Sequence, residues 1–117
     1  LYVPYMKDMG NGIENACFEF RKLEDECLDD FGIRSSKGEI INVNNLDIIV
    51  VPGVCFNKNG YRMGYGKGCY DKVLKVYRGM IIGVCYDDCF IDDRFEEEHD
   101  IKVNYVFTEK GYYKIRG

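Results

Sequence analysis

Asp47-Ile48-Ile49-Val50-Val51, closed by Pro52-Gly53, is the stretch on which the fold turns. The run after Asp47 is continuously β-branched, and a strand of that kind expects cover on both faces, as in a parallel sheet. Further on, Met80-Ile81-Ile82-Gly83-Val84-Cys85-Tyr86 reads as a second buried strand. Between the two lies a segment, 56–68, holding Gly60, Gly64, Gly66 and Gly68, a glycine density that suits a long shaped loop and no regular element. A helical period follows. Tyr70, Val73, Leu74 and Tyr77 fall at i, i+3, i+4 and i+7, Lys72, Lys75 and Arg78 point elsewhere, and Gly79 stands where a C-terminal cap belongs. Strand, crossover with helix, strand is a βαβ unit and calls for parallel pairing.

Working outward, strands are expected at Val103–Thr108 and Tyr112–Ile115, after an acidic stretch from Asp87 to Asp100 read as a solvated loop. Toward the N-terminus, strands are expected at 1–5 and 16–21, a short helical turn at 23–30, and a loop from Gly32 to Gly38 containing Ser35 and Ser36. The fold class is α/β: a single layered domain, residues 1–117, with a mostly parallel sheet and crossover helices.

A chain of 117 residues has room for one domain. Hydrophobic residues at 46%, charged residues at 31% and aromatics at 15% exclude intrinsic disorder and membrane-spanning helices. The formal charge of −4 supplies no global positive field for nucleic acid or an anionic membrane, which leaves a small anionic ligand. None of the six cysteines forms a Cys-x-x-Cys pair, and Cys55 and Cys85 sit in apolar runs, so reduced thiols in a cytoplasmic protein are expected. Residues 1–9 contain Pro4, Lys7 and Asp8 and no long apolar stretch, so no secretory signal is read there. The chain opens at Leu1 within what reads as a strand, and further sequence upstream is expected.

Charge is spread unevenly. Residues 56–78 carry Lys58, Arg62, Lys67, Lys72, Lys75 and Arg78 against Asp71 alone, a net of +5, whereas 87–100 carry eight carboxylates against Arg94, a net of −7. The basic segment is also the glycine-rich one and leads from a strand into a helix N-terminus, and in parallel α/β sheets ligands gather where strands end and loops lead into helices. Gly64-x-Gly66-x-Gly68 can offer successive backbone N–H groups to an anion, with the helix start near Cys69 adding its dipole. Lys67 and Arg62 supply charge-assisted hydrogen bonds, and Asp71 suits a hard cation such as Mg²⁺ shared with phosphates. The pattern is neither the Gly-Lys-Ser/Thr phosphate loop nor the G-x-G-x-x-G dinucleotide fingerprint, and a glycine-rich structural turn remains the alternative.

Each side chain has a plainer role too. Asp71 also favours a helix N-terminus electrostatically, Tyr70 opens the apolar face of its helix, and Lys72, Lys75 and Arg78 read as a solvated face. Tyr65, between two glycines, is placed to stack on a flat ligand. Cys85, Cys89 and His99 lack the paired spacing of a zinc site, and His99 in its charged run reads as surface.

Pro52-Gly53-Val54-Cys55-Phe56 followed by Gly60-Tyr61-Arg62-Met63-Gly64-Tyr65-Gly66-Lys67-Gly68-Cys69-Tyr70-Asp71 closely resembles the 5-formyltetrahydrofolate cyclo-ligase (5,10-methenyltetrahydrofolate synthetase) family. Ile82 to Tyr86, Glu98 to Val103 and Val106 to Glu109 resemble its later segments, and Val3-Pro4, Met9 and Phe31-Gly32-Ile33 fall in register upstream. The resemblance implies a cyclo-ligase fold, similar to those of sugar-phosphate- and CoA-handling enzymes. It implies ATP- and Mg²⁺-dependent cyclisation of 5-formyltetrahydrofolate to 5,10-methenyltetrahydrofolate, with ADP and phosphate released; a monomer in the cytoplasm is expected, with neither nucleic acid nor membrane as partner.

By the same resemblance Arg62, Met63, Gly64, Tyr65, Gly66, Lys67, Gly68, Cys69 and Tyr70 hold ATP. Tyr65, Gly66, Lys67, Gly68 and Cys69 border the folate, Lys67 and Tyr70 are catalytic, and Asp71 and Asn104 bind the metal. The chain departs from the family pattern at Asn104, where the family has an aspartate, and at Cys69, where it has a tyrosine. The family's N-terminal helical region, with its Lys/Arg box, is not among these residues. Alternatives are a nucleotide- or folate-binding homologue without turnover, an incomplete piece of the ligase, and a sugar-phosphate- or CoA-handling protein.

Overall fold

The computed structural model describes residues 1–10, 12, 16–63, 69–94 and 101–115, without the side chain of Cys69. The chain forms two compact units, Leu1–Leu46 with Lys67–Tyr77, and Asp47–Gly66 with Arg78–Gly117.

In the first unit β1 (Tyr2–Lys7) and β2 (Cys17–Lys22) pair antiparallel from Tyr2↔Lys22 to Lys7↔Cys17, and β5 (Ile40–Ile41) adds to β2. Residues 23–30 do not make a helical turn, and 32–38 are not wholly loop. Instead β3 (Glu26–Leu28) and β4 (Arg34–Ser36) form an antiparallel hairpin. Asp29 explains the difference: its carboxylate accepts the N–H groups of Phe31 and Ile33, both at 2.9 Å, and of Met6 at 3.1 Å. An aspartate used in this way closes a turn and withholds its residue from a helix. Ser36, fully buried, donates to the Lys22 carbonyl at 2.6 Å and accepts from the Glu24 and Gly38 amides.

The helix α1 (Cys69–Val76) buries Val73 and Leu74, with Tyr77 buried just past its end, as their spacing requires. It stops short of Gly79, which shows no left-handed φ. The Val76 carbonyl accepts the Asn44 side-chain amide at 3.0 Å, and the Tyr77 hydroxyl donates to the Leu46 carbonyl at 2.9 Å, so tertiary partners end the helix. Lys72, expected to be solvated, is exposed but donates to the Ala16 carbonyl at 3.3 Å.

The second unit contains the βαβ strands. β6 (Ile48–Pro52) and β9 (Met80–Val84) pair parallel from Ile48↔Met80 to Pro52↔Val84, and β11 (Tyr105–Thr108) runs parallel beside β9. β12 (Gly111–Lys114) closes the edge antiparallel, so this sheet is mixed with two of its three pairings parallel, whereas the sheet of the first unit is wholly antiparallel. The segment expected to be one long loop contains β7 (Cys55–Asn57) and β8 (Arg62–Met63), an antiparallel hairpin joined by β10 (Phe90–Ile91) in a second small sheet.

Burial in β6 alternates, against the expectation of two covered faces. Ile49 and Val51 are buried with Ile81, Val106 and Phe56, whereas Val50 is 57% exposed and Ile48, Met80, Val84 and Phe107 lie open on the opposite face. Phe56 crosses over Gly83 and Gly53, where only the absence of a Cβ leaves room for its ring. The small sheet carrying Phe56 therefore supplies the cover for one face.

Several carboxylates are held below their ordinary range. Arg34 lowers Glu26; the Asp8 amide, then the Tyr5 hydroxyl, lower Asp30; the Tyr113 hydroxyl lowers Asp87 against burial, with Thr108 adding to it. At Glu19 burial alone would raise the value, but Lys7 and Arg21 together bring it down. Lowered folded values mean that the unfolded chain takes up protons first. The stabilisation is therefore complete above the unfolded carboxylate values, about 3.9–4.3, and is lost as pH falls through the folded ones. The urea midpoint is expected to be flat from about pH 7 to pH 5 and to fall steadily below about pH 4.5. A midpoint that rises on acidification would contradict the assignment.

Candidate functional site

The glycine-rich segment is reached through the turn between β7 and β8. Asn57 directs it: only 1% exposed, it accepts the Asn59 amide at 3.1 Å and the Tyr61 amide at 3.0 Å on Oδ1. The Asn57 amide in turn donates to the Tyr61 carbonyl at 3.0 Å. Gly60 sits at φ +90°, which a side chain rarely adopts, and its carbonyl accepts the Val103 amide at 2.9 Å. Tyr61 bridges antiparallel to Lys102. Gly60 and Tyr61 are thus held alongside residues 102 and 103. Arg62 donates from Nε to the Pro52 carbonyl at 2.7 Å, and Met63 lies beside the Cys55 thiol at 3.7 Å.

The hairpin brings the chain back to the carboxyl end of β6: the Met63 carbonyl accepts the Val54 amide at 2.9 Å, and Arg62 reaches the Pro52 carbonyl. The carboxyl ends of β6, β9 and β11 do open on a cleft of about 540 Å³, lined by Val54, Val84, Tyr86, Phe107, Thr108 and Glu109 among others. Gly60 and Tyr61 lie beside the segment that enters β11, and β8 then runs back to Val54 on the rim of that cleft. The β7–β8 pairing reverses the chain, and Pro52-Gly53-x-x-Phe56 alone does not reveal the reversal.

Of the residues expected to act, Gly64, Tyr65, Gly66, Lys67 and Gly68 lie outside the described residues, as does the Cys69 side chain. Tyr70 and Asp71 stand in the first turn of α1. Tyr70 is half-buried with its ring edge-on to Phe18 at 4.8 Å, and the Asp71 carboxylate is exposed. Asn104 is engaged: Oδ1 accepts the Ile81 amide, its own amide donates to the Ile81 carbonyl, both at 2.8 Å, and its carbonyl accepts the Ile115 amide at 3.0 Å. Asn57 is a residue that sequence reasoning misses. Its signal lies in Asn57-Lys58-Asn59-Gly60, a cluster of turn formers within a segment whose glycines dominate the reading.

A family model describing 5-formyltetrahydrofolate cyclo-ligases matches residues 21–109, spanning the hairpin, the glycine segment, α1 and the strands after it. The chain belongs to the 5-formyltetrahydrofolate cyclo-ligase family. The 5-formyltetrahydrofolate cyclo-ligase of Mycolicibacterium smegmatis is 33% identical over 70 residues, covering 58% of this chain and 36% of the relative. The mouse protein of the same name is 32% identical over 77 residues, 61% of this chain and 38% of its own. The NMR structure of Aquifex aeolicus 5,10-methenyltetrahydrofolate synthetase superposes with a TM-score of 0.77 at 32% identity, covering 99% of this chain and 59% of that one. A 5,10-methenyltetrahydrofolate synthetase from Mycoplasma pneumoniae shares the fold, with a TM-score of 0.61 at 23% identity. The chain therefore spans little more than a third of the two curated relatives.

Within this cyclo-ligase framework, thiol chemistry has little support. Burial pushes the Cys55 and Cys85 thiols up, which keeps both protonated at neutral pH. Cys17, Cys27, Cys55, Cys85 and Cys89 are free thiols. Among the described residues no group of three or more His, Cys, Asp and Glu side chains is placed to hold a metal, and no helix is long and apolar enough to cross a membrane. The carboxylate of Asp71 is exposed and of a kind that suits a hard cation, whereas the Asn104 amide oxygen already serves Ile81.

Proposed function

We propose that this chain carries the phosphate-binding part of an ATP-dependent ligase that cyclises 5-formyltetrahydrofolate to 5,10-methenyltetrahydrofolate in the cytoplasm. The reading rests chiefly on one observation: a family match that runs through Arg62 to Tyr70, in a chain whose β7–β8 turn is pinned just ahead of that segment. In the reaction the formyl oxygen takes the terminal phosphoryl group of ATP and ADP leaves. N10 then bonds to the formyl carbon and gives up its proton, and phosphate departs with the former formyl oxygen.

In this reading residues 62–70 bind the ATP phosphates and 65–69 also border the folate. Lys67 offsets charge on the transferring phosphoryl group, where catalysis is mainly positioning and electrostatics. Tyr70 stands beside the formyl group, its ring steadied by Phe18. Mg²⁺, when bound with the nucleotide, would neutralise phosphate charge, and Asp71 would hold it. The partner is a small molecule, and the chain acts as a monomer. A second reading, a nucleotide- or folate-binding homologue without turnover, is favoured by Asn104, whose side-chain oxygen is committed to the fold.

The test is the absorbance rise of methenyltetrahydrofolate when the 117-residue chain is mixed with 5-formyltetrahydrofolate, ATP and Mg²⁺, beside Asp71→Ala. A rise that Asp71→Ala reduces at least about a hundredfold is expected, the scale on which a charged transition-state partner acts. MgATP binding without any rise would favour the second reading, and absence of both would sink the two together.

A further inference from the structure

We propose that Asn57 is a positioning residue for the phosphate-binding segment: its buried carboxamide sets the turn whose register against residues 102 and 103, and of β8 along β7, fixes the chain that enters that segment. The proposal rests on the nucleotide reading above. A carboxamide only 1% exposed is costly unless its polar atoms are bonded, and Oδ1 is bonded to the Asn59 and Tyr61 amides. With the Gly60 amide on the Asn57 carbonyl at 2.9 Å, one residue closes the turn from 57 to 61.

Because Asn57 takes both the amide and the carbonyl of Tyr61 and the amide of Gly60, the Gly60 carbonyl is the group left facing residue 103. Gly60 presents its carbonyl to Val103, and Tyr61 pairs with Lys102. The fit is close: a Cβ at Gly60 would lie 2.8 Å from Ile115 Cγ2 and 3.0 Å from the Val103 carbonyl oxygen. A slip of one residue in such a pairing reverses the side-chain faces. Such a slip would turn Arg62 away from the Pro52 carbonyl and displace the start of the glycine segment. Asn57 thus acts through the turn and Arg62, and need not touch the ligand.

Calorimetric titration of the 117-residue chain with MgATP tests this, on wild type, Asn57→Ala, Asn57→Asp, Gly60→Ala and the control Ser36→Ala, each at a temperature where circular dichroism shows it fully folded. Asn57→Ala is expected to weaken MgATP at least about tenfold, the scale of one lost hydrogen-bonded constraint. Asn57→Asp, which keeps both acceptor bonds, should stay within about threefold of wild type, and Gly60→Ala should weaken binding by disturbing the same register. Ser36→Ala removes a buried hydroxyl with three hydrogen bonds in another turn, so it should lower stability and leave affinity unchanged. Unchanged affinity in Asn57→Ala, with wild type binding normally, would overturn the role of Asn57 alone. Equal losses in Asn57→Ala and Ser36→Ala would reduce it to general stability. No binding by wild type would overturn the nucleotide reading and this proposal with it.

Discussion

Gly83→Ala is expected to destabilise the protein by about 3 kcal/mol, the upper part of the range for overpacking a well-filled core. The cause is the Phe56 ring, fully buried against the β9 backbone, with Cε1 and Cζ both 2.6 Å from where the alanine Cβ would stand. Real Cβ atoms do not tolerate that approach, so either the ring or the strand must move. The ring has little retreat, because a Cβ at Gly53 would lie 2.7 Å from its Cε2. The strand is held as well, since Gly83 pairs with Val51 on one side and Val106 on the other. Phe56→Ala should cost about 3–5 kcal/mol through the cavity it leaves. The two changes share one space, so their effects should fall short of additive in the double variant. Urea unfolding with an unchanged slope measures all three; a Gly83→Ala midpoint equal to wild type would mean that Phe56 does not occupy this site.

Lys67→Ala is expected to carry the largest effect on activity, a loss of about 10²–10³ in kcat, the magnitude seen when one preorganised charge partner of a transition state is removed. Under the proposed reaction, negative charge on the phosphoryl oxygens must be met as the formyl oxygen is phosphorylated. Within residues 64–68 Lys67 is the one charged side chain; the rest are three glycines and a tyrosine. If the lysine acts in the transition state, kcat falls with kcat/KM and the KM for 5-formyltetrahydrofolate changes little. Lys67→Arg should recover part of the rate, since charge persists but the compact ammonium is replaced by a broader group. A rise in KM with kcat intact would make Lys67 a ground-state binding residue instead.

The contrast between Asn57 and Asn104 shows how far site reading from sequence reaches. Both are asparagines in strand-flanking positions, and neither the composition nor the spacing separates their roles. In the fold, Asn57 closes the turn that leads to the glycines, whereas Asn104 binds the starts of β9 and β11 together through Ile81 and Ile115. The helix shows the same limit at its end. The period of Tyr70, Val73, Leu74 and Tyr77 locates it, but its stop is set by Asn44, far upstream in sequence, and not by Gly79.

The sequence by itself determined the parallel pair β6 and β9, the helix between them, the outer strands, and the basic glycine segment that identifies the family. These follow from local periods, from turn residues and from a motif read within a few tens of residues. Tertiary structure alone decided the β3–β4 hairpin and the β7–β8 reversal, whose turn lies against residues 102 and 103 before the chain returns to Val54. Each depends on partners distant in sequence: Met6 on Asp29, and Val103 on Gly60. Hydrogen bonds of that range leave no period in the chain, because the energy that selects them arises only when the distant segments meet.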